Sequence, residues 1–390
     1  MIMSEWKEYC ITDVCDTISD TYKDGAKKVV LINTSDVLEG KITNHKFVDN
    51  QNLAGQFKKK FQKDDILYSE IRPANRRYAY VDIEPKDYIA STKLMVLRNK
   101  PCILPKYLYY LLTNNSTIRE LHTIAIGRSG TFPQITYSEL SNIKFQLPPK
   151  ETQERILSIL LDIDSKIENN RKICANLEAQ AQALFKHWFI DFAPFKDGKF
   201  VESELGMIPE GWRVGSILDI AELYDYQRKP LSSMEREDMK GDYPYYGATS
   251  IMDYIDKYIF DGTYVLMGED GSVVKDNGCP YLQYVWGKFW PNNHAHVMQG
   301  KNGFSTEMLY CFLSKTDVRS IVTGAVQMKI SQRSMSHLLT VIPSKSVCGD
   351  YNRIIRPLFD LIKSTKEEND RLSTLRDTLL PKLMSGEIKV

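Results

Sequence analysis

The sequence predicts an α+β (mixed α/β) protein in which a globular domain followed by a long helix occurs twice in tandem. Two observations carry this prediction. Residues 151–189 repeat apolar side chains every 3.5 residues, the period of a coiled-coil seam. The second half of the chain repeats the pattern of the first at an offset of about 200 residues, including a second long helix. A helix with one narrow apolar seam needs a partner, so the two helices are expected to pair with each other.

The composition is that of an ordinary globular protein, since 43% of the 390 residues are hydrophobic and 26% are charged. The 51 basic and 50 acidic residues nearly cancel, so any nucleic-acid binding must come from local patches. No apolar run is long enough for a transmembrane helix, and the N-terminus lacks a secretory signal pattern. Seven cysteines occur singly, without a CxxC pair, which favours a reducing cytoplasmic location over disulfides or a zinc site.

Residues 1–150 are expected to form the first mixed α/β domain. Apolar runs bounded by turn residues predict strands at 28–33, 64–71, 77–83 and 92–98. A helix is predicted over 105–122, where Pro105 begins an apolar pattern of helical spacing. A glycine-containing loop, a short helix at 137–141 and a last strand complete the domain.

The central helix is expected to span residues 151–190. Its seam alternates steps of four and three residues and contains one amide side chain, Asn170, near the middle. The other seam positions are Ile156, Leu160, Ile163, Ile167, Cys174, Leu177, Ala181 and Leu184. At about 1.5 Å per residue, a helix of this size would be about 57 Å long.

The pattern then begins again over residues 191–349, which are expected to hold a linker and the second domain. Residues 4–17 match 210–223, and residues 135–149 match 330–344 without a gap. The chain is therefore interpreted as a tandem duplication.

Residues 350–390 are expected to form the second long helix, with a comparable seam and one charged intruder, Arg376. Pro357 is expected near the start of this helix, and Pro381 is expected to kink or end it.

Antiparallel pairing of the two helices, with pseudo-twofold symmetry, is preferred because parallel pairing would crowd both domains at one end. The midpoints of the helices meet in such a pair. The side chains of Asn170 and Asn369 lie near these midpoints, so they are predicted to hydrogen-bond and fix the register.

The sequence shows no constellation typical of an enzyme. It contains neither a GxGxxG nor a GxxxxGK[ST] nucleotide loop, and its Pro-Pro pair lies in LPPKE rather than in an Asn/Asp-Pro-Pro-aromatic methyltransferase motif. His294 and His296 lie on one side of a predicted strand, but no third metal ligand is near in sequence. Glu269 and Asp270 resemble a turn beside two glycines. We therefore expect no active site, no metal and no cofactor.

Four motifs, in this order, resemble those of one known family. LPPKETQERI precedes the central helix, ALFKHWFIDF ends it, SELGMIPEGWRV opens the second half, and LRDTLLPKLMSGEI closes the pattern. With this set the chain resembles the specificity subunits of type I restriction–modification systems over essentially its whole length. In that family each globular half is a target recognition domain that reads one part of a split DNA sequence, and the paired helices separate the two domains.

The resemblance implies a non-catalytic subunit that binds double-stranded DNA. Its implied protein partners are two copies of the modification (methyltransferase) subunit, docked on the paired helices, and the restriction (motor nuclease) subunits. S-adenosylmethionine, Mg and ATP are expected only on those partners, and no membrane contact is expected. Two unlike domains imply an asymmetric bipartite target with an unread gap. A standalone methyltransferase and a duplicated coiled-coil scaffold that binds only protein stay open as alternatives.

Candidate DNA contacts lie in polar turns of both domains, because arginine suits guanine and phosphate while asparagine suits adenine. The turn 72–77 offers Arg72, Asn75, Arg76 and Arg77. The loop 127–134, whose glycines allow close approach to phosphates, adds Arg128, Ser129, Thr131 and Gln134. The second domain offers Asn292 and Asn293, and its loop 324–334 carries Gln327, Lys329, Gln332 and Arg333. A merely solvated turn is the alternative for each.

Overall fold

The computed structural model describes residues 6–51, 53, 55–128, 132–324 and 327–390. The chain divides into two compact units, each with its own hydrophobic cores. The first unit comprises residues 1–169 together with 368–390, and the second comprises residues 170–367. The division cuts through both long helices, so each unit contains one globular domain and a part of each helix.

The first unit holds two four-stranded sheets. One is antiparallel, with strands in the order Cys15–Ile18, Leu94–Asn99, Ile66–Ser69 and Tyr78–Tyr80. The other has a parallel central pair in the order Phe47–Asp49, Lys28–Ile32, Tyr88–Ser91 and Phe57–Lys59. Two antiparallel ribbons pair Lys7–Cys10 with Lys144–Leu147 and Val37–Leu38 with Lys41–Ile42. Short helices span Ile11–Val14 and Tyr137–Ser141.

The helix predicted over 105–122 is instead two helices, Pro105–Thr113 and Asn115–Arg128. Asn114 separates them, and its side-chain oxygen accepts a hydrogen bond of 2.9 Å from the backbone N–H of Thr117. This bond satisfies a backbone donor in the first turn of the second helix, so the asparagine acts as a cap. The second helix also takes in residues that the sequence had assigned to a loop.

The second unit has the same kinds of sheet. One is antiparallel, in the order Ala221–Leu223, Ala295–Gly300, Tyr264–Gly268 and Leu282–Val285. The other has the order Ile251–Ile255, Lys240–Tyr246, Lys288–Pro291 and Phe260–Asp261, with a parallel central pair. Ribbons pair Phe200–Ser203 with Gly206–Pro209 and Arg213–Ser216 with Leu339–Ile342. The helices are Ile217–Ile220, Ser233–Asp238, Thr306–Leu313 and Gln332–Met335.

One backbone hydrogen bond recurs at matching places in the two units. The N–H of Ile135 donates to the carbonyl oxygen of Glu70 at 2.9 Å. The N–H of Ile330 donates to the carbonyl oxygen of Glu269 at 2.8 Å. In both units this bond ties the loop before a short helix to the end of a sheet strand. The predicted mixed fold with two tandem domains is confirmed.

The first long helix spans Lys150–Phe185 and is followed by a π-helical turn, Lys186–Ile190. The second long helix spans Lys345–Met384. In the second unit the hydroxyl of Tyr351 donates to the carbonyl oxygen of Ala181 at 3.2 Å.

The two long helices run antiparallel within each unit. In the first unit Asp164 contacts Arg376, and the carbonyl oxygen of Ile167 accepts from the Asn369 amide at 3.2 Å. Residue numbers therefore rise along one helix as they fall along the other. In the second unit Cys174 lies against the backbone of residue 362, whereas position 181 meets 351. This confirms the predicted antiparallel pairing inside each unit.

The second long helix begins at Lys345, earlier than the predicted residue 350, so Pro357 lies in its interior and not near its start. The reason is that Cys348 and Tyr351 are fully buried and extend the apolar seam toward the N-terminus. The helix also continues past Pro381 as far as Met384.

Asn170 is 1% exposed. Its predicted hydrogen bond with Asn369 joins residues of different units and stays a prediction. The boundaries predicted at residues 150, 190 and 349 likewise stay predictions, because the units are divided along the helices. No helix among the described residues combines the length and apolar character needed to cross a bilayer.

Candidate nucleic-acid interface

The structure brings the two candidate segments of the first unit together. The N–H of Arg72 donates to the carbonyl oxygen of Pro133 at 3.0 Å, and Ile71 forms a β-bridge with Gln134. The turn 72–77 is therefore attached along its start to the loop 127–134. Arg72 and Arg76 have φ of 46° and 51°, the left-handed region that is uncommon for residues other than glycine.

The arginines of this region differ in the hydrogen bonds and ion pairs that they form within the protein. Arg76 donates to the side-chain oxygen of Asn115 at 2.6 Å, and Arg77 donates to a backbone carbonyl oxygen at 3.0 Å. Arg128 is not in a loop, because it ends a helix and pairs with Glu139 at 2.5 Å. The pKa of the Glu139 carboxyl lies below its usual range, chiefly because the Thr136 side chain hydrogen-bonds to it. The guanidinium groups of Arg76, Arg77 and Arg128 therefore form bonds within the protein, whether or not they also contact a ligand.

Arg72 and Asn75 are the exposed polar side chains of the turn, and among the described residues neither has a side-chain hydrogen bond or ion pair. The Arg72 guanidinium lies 6.0 Å from the ring centre of Phe132. Gln134 is half-buried. Ser129 and Thr131 lie outside the residues that the structure describes. The strongest candidates to contact a base in this unit are therefore Arg72 and Asn75.

The loop 324–334 of the second unit starts with a glycine that its geometry requires. Gly324 has φ of 85°, and a Cβ atom there would lie 2.2 Å from the carbonyl oxygen of Gln327. Gln327 and Arg333 are exposed. The ammonium group of Lys329 lies 3.2 Å from the Glu269 carboxylate, so it is already paired. Residues 325 and 326 lie outside the described part of the chain.

Asn292 is 3% exposed, and its side-chain oxygen accepts a hydrogen bond of 2.7 Å from the N–H of His294. The side chain therefore shapes a turn and is not presented to a partner. Asn293 is exposed beside it and stays a candidate for DNA contact. His294 itself pairs with Asp270 at 2.5 Å.

Sequence reasoning missed a buried cluster of charged and polar side chains beneath the loop that contains Gln332. The carboxylates of Asp225 and Glu269 both lie beside His296, and Arg228 pairs with both of them. Gln332 donates to Asp225 at 2.6 Å. Burial alone would raise the pKa of Asp225, but the bonds from His296 and Gln332 outweigh it and leave that pKa below its ordinary value. The signal in the sequence was slight, because Asp225 and His296 are 71 residues apart. The sequence points to His296 only as part of the His-Ala-His pattern, to Glu269 only as a turn residue and to Gln332 only as a candidate DNA contact.

The family follows from comparison with known proteins. The family model described as Type I restriction modification DNA specificity domain matches the chain twice, over residues 3–179 and 209–374. The two matches cover most of the chain, one in each half. The chain therefore belongs to the family of type I restriction modification DNA specificity domains.

Within this family the chain is a type I specificity subunit, because its relatives over most of its length are type I specificity subunits. This finding confirms the resemblance seen in the motifs. It is 29% identical to the Type I restriction enzyme HindI specificity subunit of Haemophilus influenzae, over 99% of this chain and 100% of the relative. It is 28% identical to the Type I restriction enzyme MjaIX specificity subunit of Methanocaldococcus jannaschii, over 85% of this chain and 79% of the relative. A solved type I S subunit from M. genitalium aligns over 98% of this chain and 97% of its own, with 18% identity and a TM-score of 0.49.

Proposed function

We propose that this chain recognises an asymmetric bipartite DNA target, with one element read by each globular domain, and that it catalyses no reaction itself. One observation carries the proposal: the same backbone scaffold presents different polar side chains in the two units. The scaffold bond from Ile135 to Glu70 lies beside the exposed Arg72 and Asn75. The matching bond in the second unit lies beside a loop that exposes a glutamine and an arginine. Unlike polar surfaces on a repeated scaffold suit two unlike half-sites.

We further propose that the long helices dock two modification subunits, to which the restriction subunits are added. Exposed apolar side chains support a protein partner on these helices. Along each helix they recur at multiples of seven residues, the spacing that places side chains on one face of a helix. They are Ile159 and Ile173 on the first helix and Ile354, Leu361 and Leu375 on the second, all at least 37% exposed. S-adenosylmethionine, Mg and ATP then belong to the partners and not to this chain. All seven cysteines are unpaired, which supports action in the cytoplasm.

Selection from random double-stranded DNA by the full chain with its modification subunits tests the proposal. The expected result is enrichment of a split motif made of two unlike elements at a fixed gap. Arg72→Ala should degrade one element and Gln327→Ala the other, because each lost base contact costs about 1–3 kcal/mol of discrimination. Arg213→Ala is the matched control, since that arginine is exposed, pairs with Asp219 and lies neither on the long helices nor among the candidate DNA contacts. Its variant should enrich the wild-type motif.

Enrichment of no split motif would contradict the proposal and favour a scaffold that binds only protein. Binding of S-adenosylmethionine to the isolated chain, measured by calorimetry, would instead favour a standalone methyltransferase. We expect no such binding.

A further inference from the structure

The second unit contains a buried aspartate–histidine pair that is not among the candidate DNA contacts. Asp225 is 8% exposed and His296 is 1% exposed, and the Oδ2 of Asp225 lies 2.5 Å from the Nδ1 of His296. The other ring nitrogen, Nε2, lies 2.7 Å from the carbonyl oxygen of Ile330. Both ring nitrogens thus lie within hydrogen-bond distance of an oxygen atom of the protein. The Oδ1 of Asp225 accepts from the N–H of Val297 at 2.8 Å, which fixes the carboxylate to a sheet strand.

This pair reaches directly into the loop 324–334. The side-chain Nε2 of Gln332 donates to Asp225 Oδ2 at 2.6 Å, and the backbone oxygen of Ile330 accepts from His296. The N–H of Ile330 donates to the carbonyl oxygen of Glu269 at 2.8 Å. Residues 330 and 332 are thus held by three hydrogen bonds, to Asp225, Glu269 and His296.

The same side chains invite interpretation as a metal site, because ligand atoms of Asp225, Glu269 and His296 lie within 4.8 Å of one another. The donor set does not fit an ion. Arg228 Nη1 lies 2.7 Å from one Glu269 oxygen, and Lys329 Nζ lies 3.2 Å from the other. Arg228 and Lys329 already balance the charges of the two carboxylates, so a divalent cation would add net positive charge to a buried cluster, which is costly.

We propose that this network positions residues 327–334 for DNA recognition by the second domain, an inference that rests on the proposed function. In this role Gln332 is a positioning residue and not a base contact. The exposed Gln327 and Arg333 then make the contacts, because they flank the anchored residues on either side. Buried hydrogen-bonded charges hold one geometry strongly, because leaving either partner unpaired is expensive.

The first unit holds its loop by other means. The Glu70 carboxylate pairs with Lys93 at 3.8 Å on a half-exposed surface, and the short helix after the loop is fixed by the exposed pair of Arg128 with Glu139. The buried network is therefore an addition of the second unit to the shared backbone scaffold. We expect its loss to affect one half of the target only.

The test compares the full chain with Gln332→Ala, Asp225→Asn and Gln327→Ala by hydrogen exchange and by the DNA selection described above. Gln332→Ala leaves no core cavity, because that side chain is largely exposed apart from its bond to Asp225. Asp225→Asn keeps the side-chain shape and the bond from Val297 while removing the charge. Both variants should accelerate exchange over residues 327–334 roughly 10- to 100-fold, with the strand Ala295–Gly300 unchanged.

The same two variants should degrade the element of the target that Gln327→Ala degrades and leave the other element intact. Gln327→Ala itself should leave exchange unchanged, which separates contact from positioning. Unchanged exchange in the loop, an unchanged element, or equal acceleration throughout the second unit would each overturn the inference. If the wild-type chain enriches no split motif, the proposed function fails, whereas the exchange data still decide whether the network anchors the loop.

Discussion

Replacing Asp164 with alanine should weaken the attachment of the second long helix to the first unit. The Oδ1 of Asp164 accepts a hydrogen bond of 2.9 Å from Arg376 Nη1, and its Oδ2 accepts one from the hydroxyl of Tyr110. The side chains of Asp164 and Arg376 are 33% and 31% exposed. Burial and the neighbouring carboxylate raise the pKa of Tyr110, so its hydroxyl remains a donor at neutral pH. One carboxylate thus joins both long helices to the domain.

The expected loss of unfolding free energy is about 2–4 kcal/mol. A hydrogen bond to a charged group contributes about 1.5–3 kcal/mol, and partial exposure lowers each of the two bonds lost. Arg376 keeps its contacts with Asp377 at 2.9 and 3.0 Å, which moderates the penalty for that guanidinium. A double-mutant cycle of Asp164→Ala with Arg376→Met should give a coupling energy of about 1–2 kcal/mol.

Urea denaturation combined with hydrogen exchange measures the effect, because exchange reports on peptides of the first unit separately. Glu151→Ala is the matched control, a carboxylate on the same helix whose side chain is 77% exposed and pairs with Arg155. That variant should change stability by less than about 0.5 kcal/mol. If Asp164→Ala costs no more than the control, the attribution of helix attachment to this carboxylate is wrong.

Other perturbations address the spacer, the loop and the buried network. Four residues inserted into the first long helix add about 6 Å, so the gap of the selected motif should change by roughly two base pairs with the elements unchanged. Altered elements at a constant gap would contradict the spacer role. Gly324→Ala should speed exchange around Gln327 and degrade one element, whereas Gly349→Ala, at an open helical site, should do neither. Because the pKa of Asp225 is lowered on folding, its contribution is complete above the ordinary aspartate pKa of about 3.9 and is lost as the pH falls below that value and through the lower pKa of the folded state. The stability difference between wild type and Asp225→Asn should therefore shrink over that range in urea titrations.

The long helices could be predicted because the 3.5-residue period continues through positions whose residues are unfavourable in a coiled-coil seam. Cys174 and Ala181 are weak coiled-coil residues, yet they are 5% and 0% exposed. Spacing alone therefore identified buried positions that residue type would have missed. The duplication could be seen for the same reason, since matching segments keep their order along the chain.

The remaining features depend on contacts that a linear pattern does not contain. The helix break at Asn114 follows from one side-chain cap, and asparagine is equally compatible with a helix surface. The sequence predicts Pro357 near the start of a helix because proline favours that position. Burial of Tyr351 instead extends the helix on the N-terminal side of this proline. The network around His296 joins segments that only the folded sheet brings together. Local propensity predicts elements, whereas these outcomes are decided by tertiary contacts.

The division of the chain into units has a consequence for the order of folding. Residues 170–367 are contiguous, whereas the first unit needs residues 368–390 to supply Leu380, Leu383 and Met384 to its core. On the ribosome, the domain made first therefore waits for a segment that is made after the whole second unit. Residues 170–390 take about 10–45 s to synthesise at about 5–20 residues per second. During that interval an apolar edge of the first core stays uncovered, and the second unit can be complete before the first.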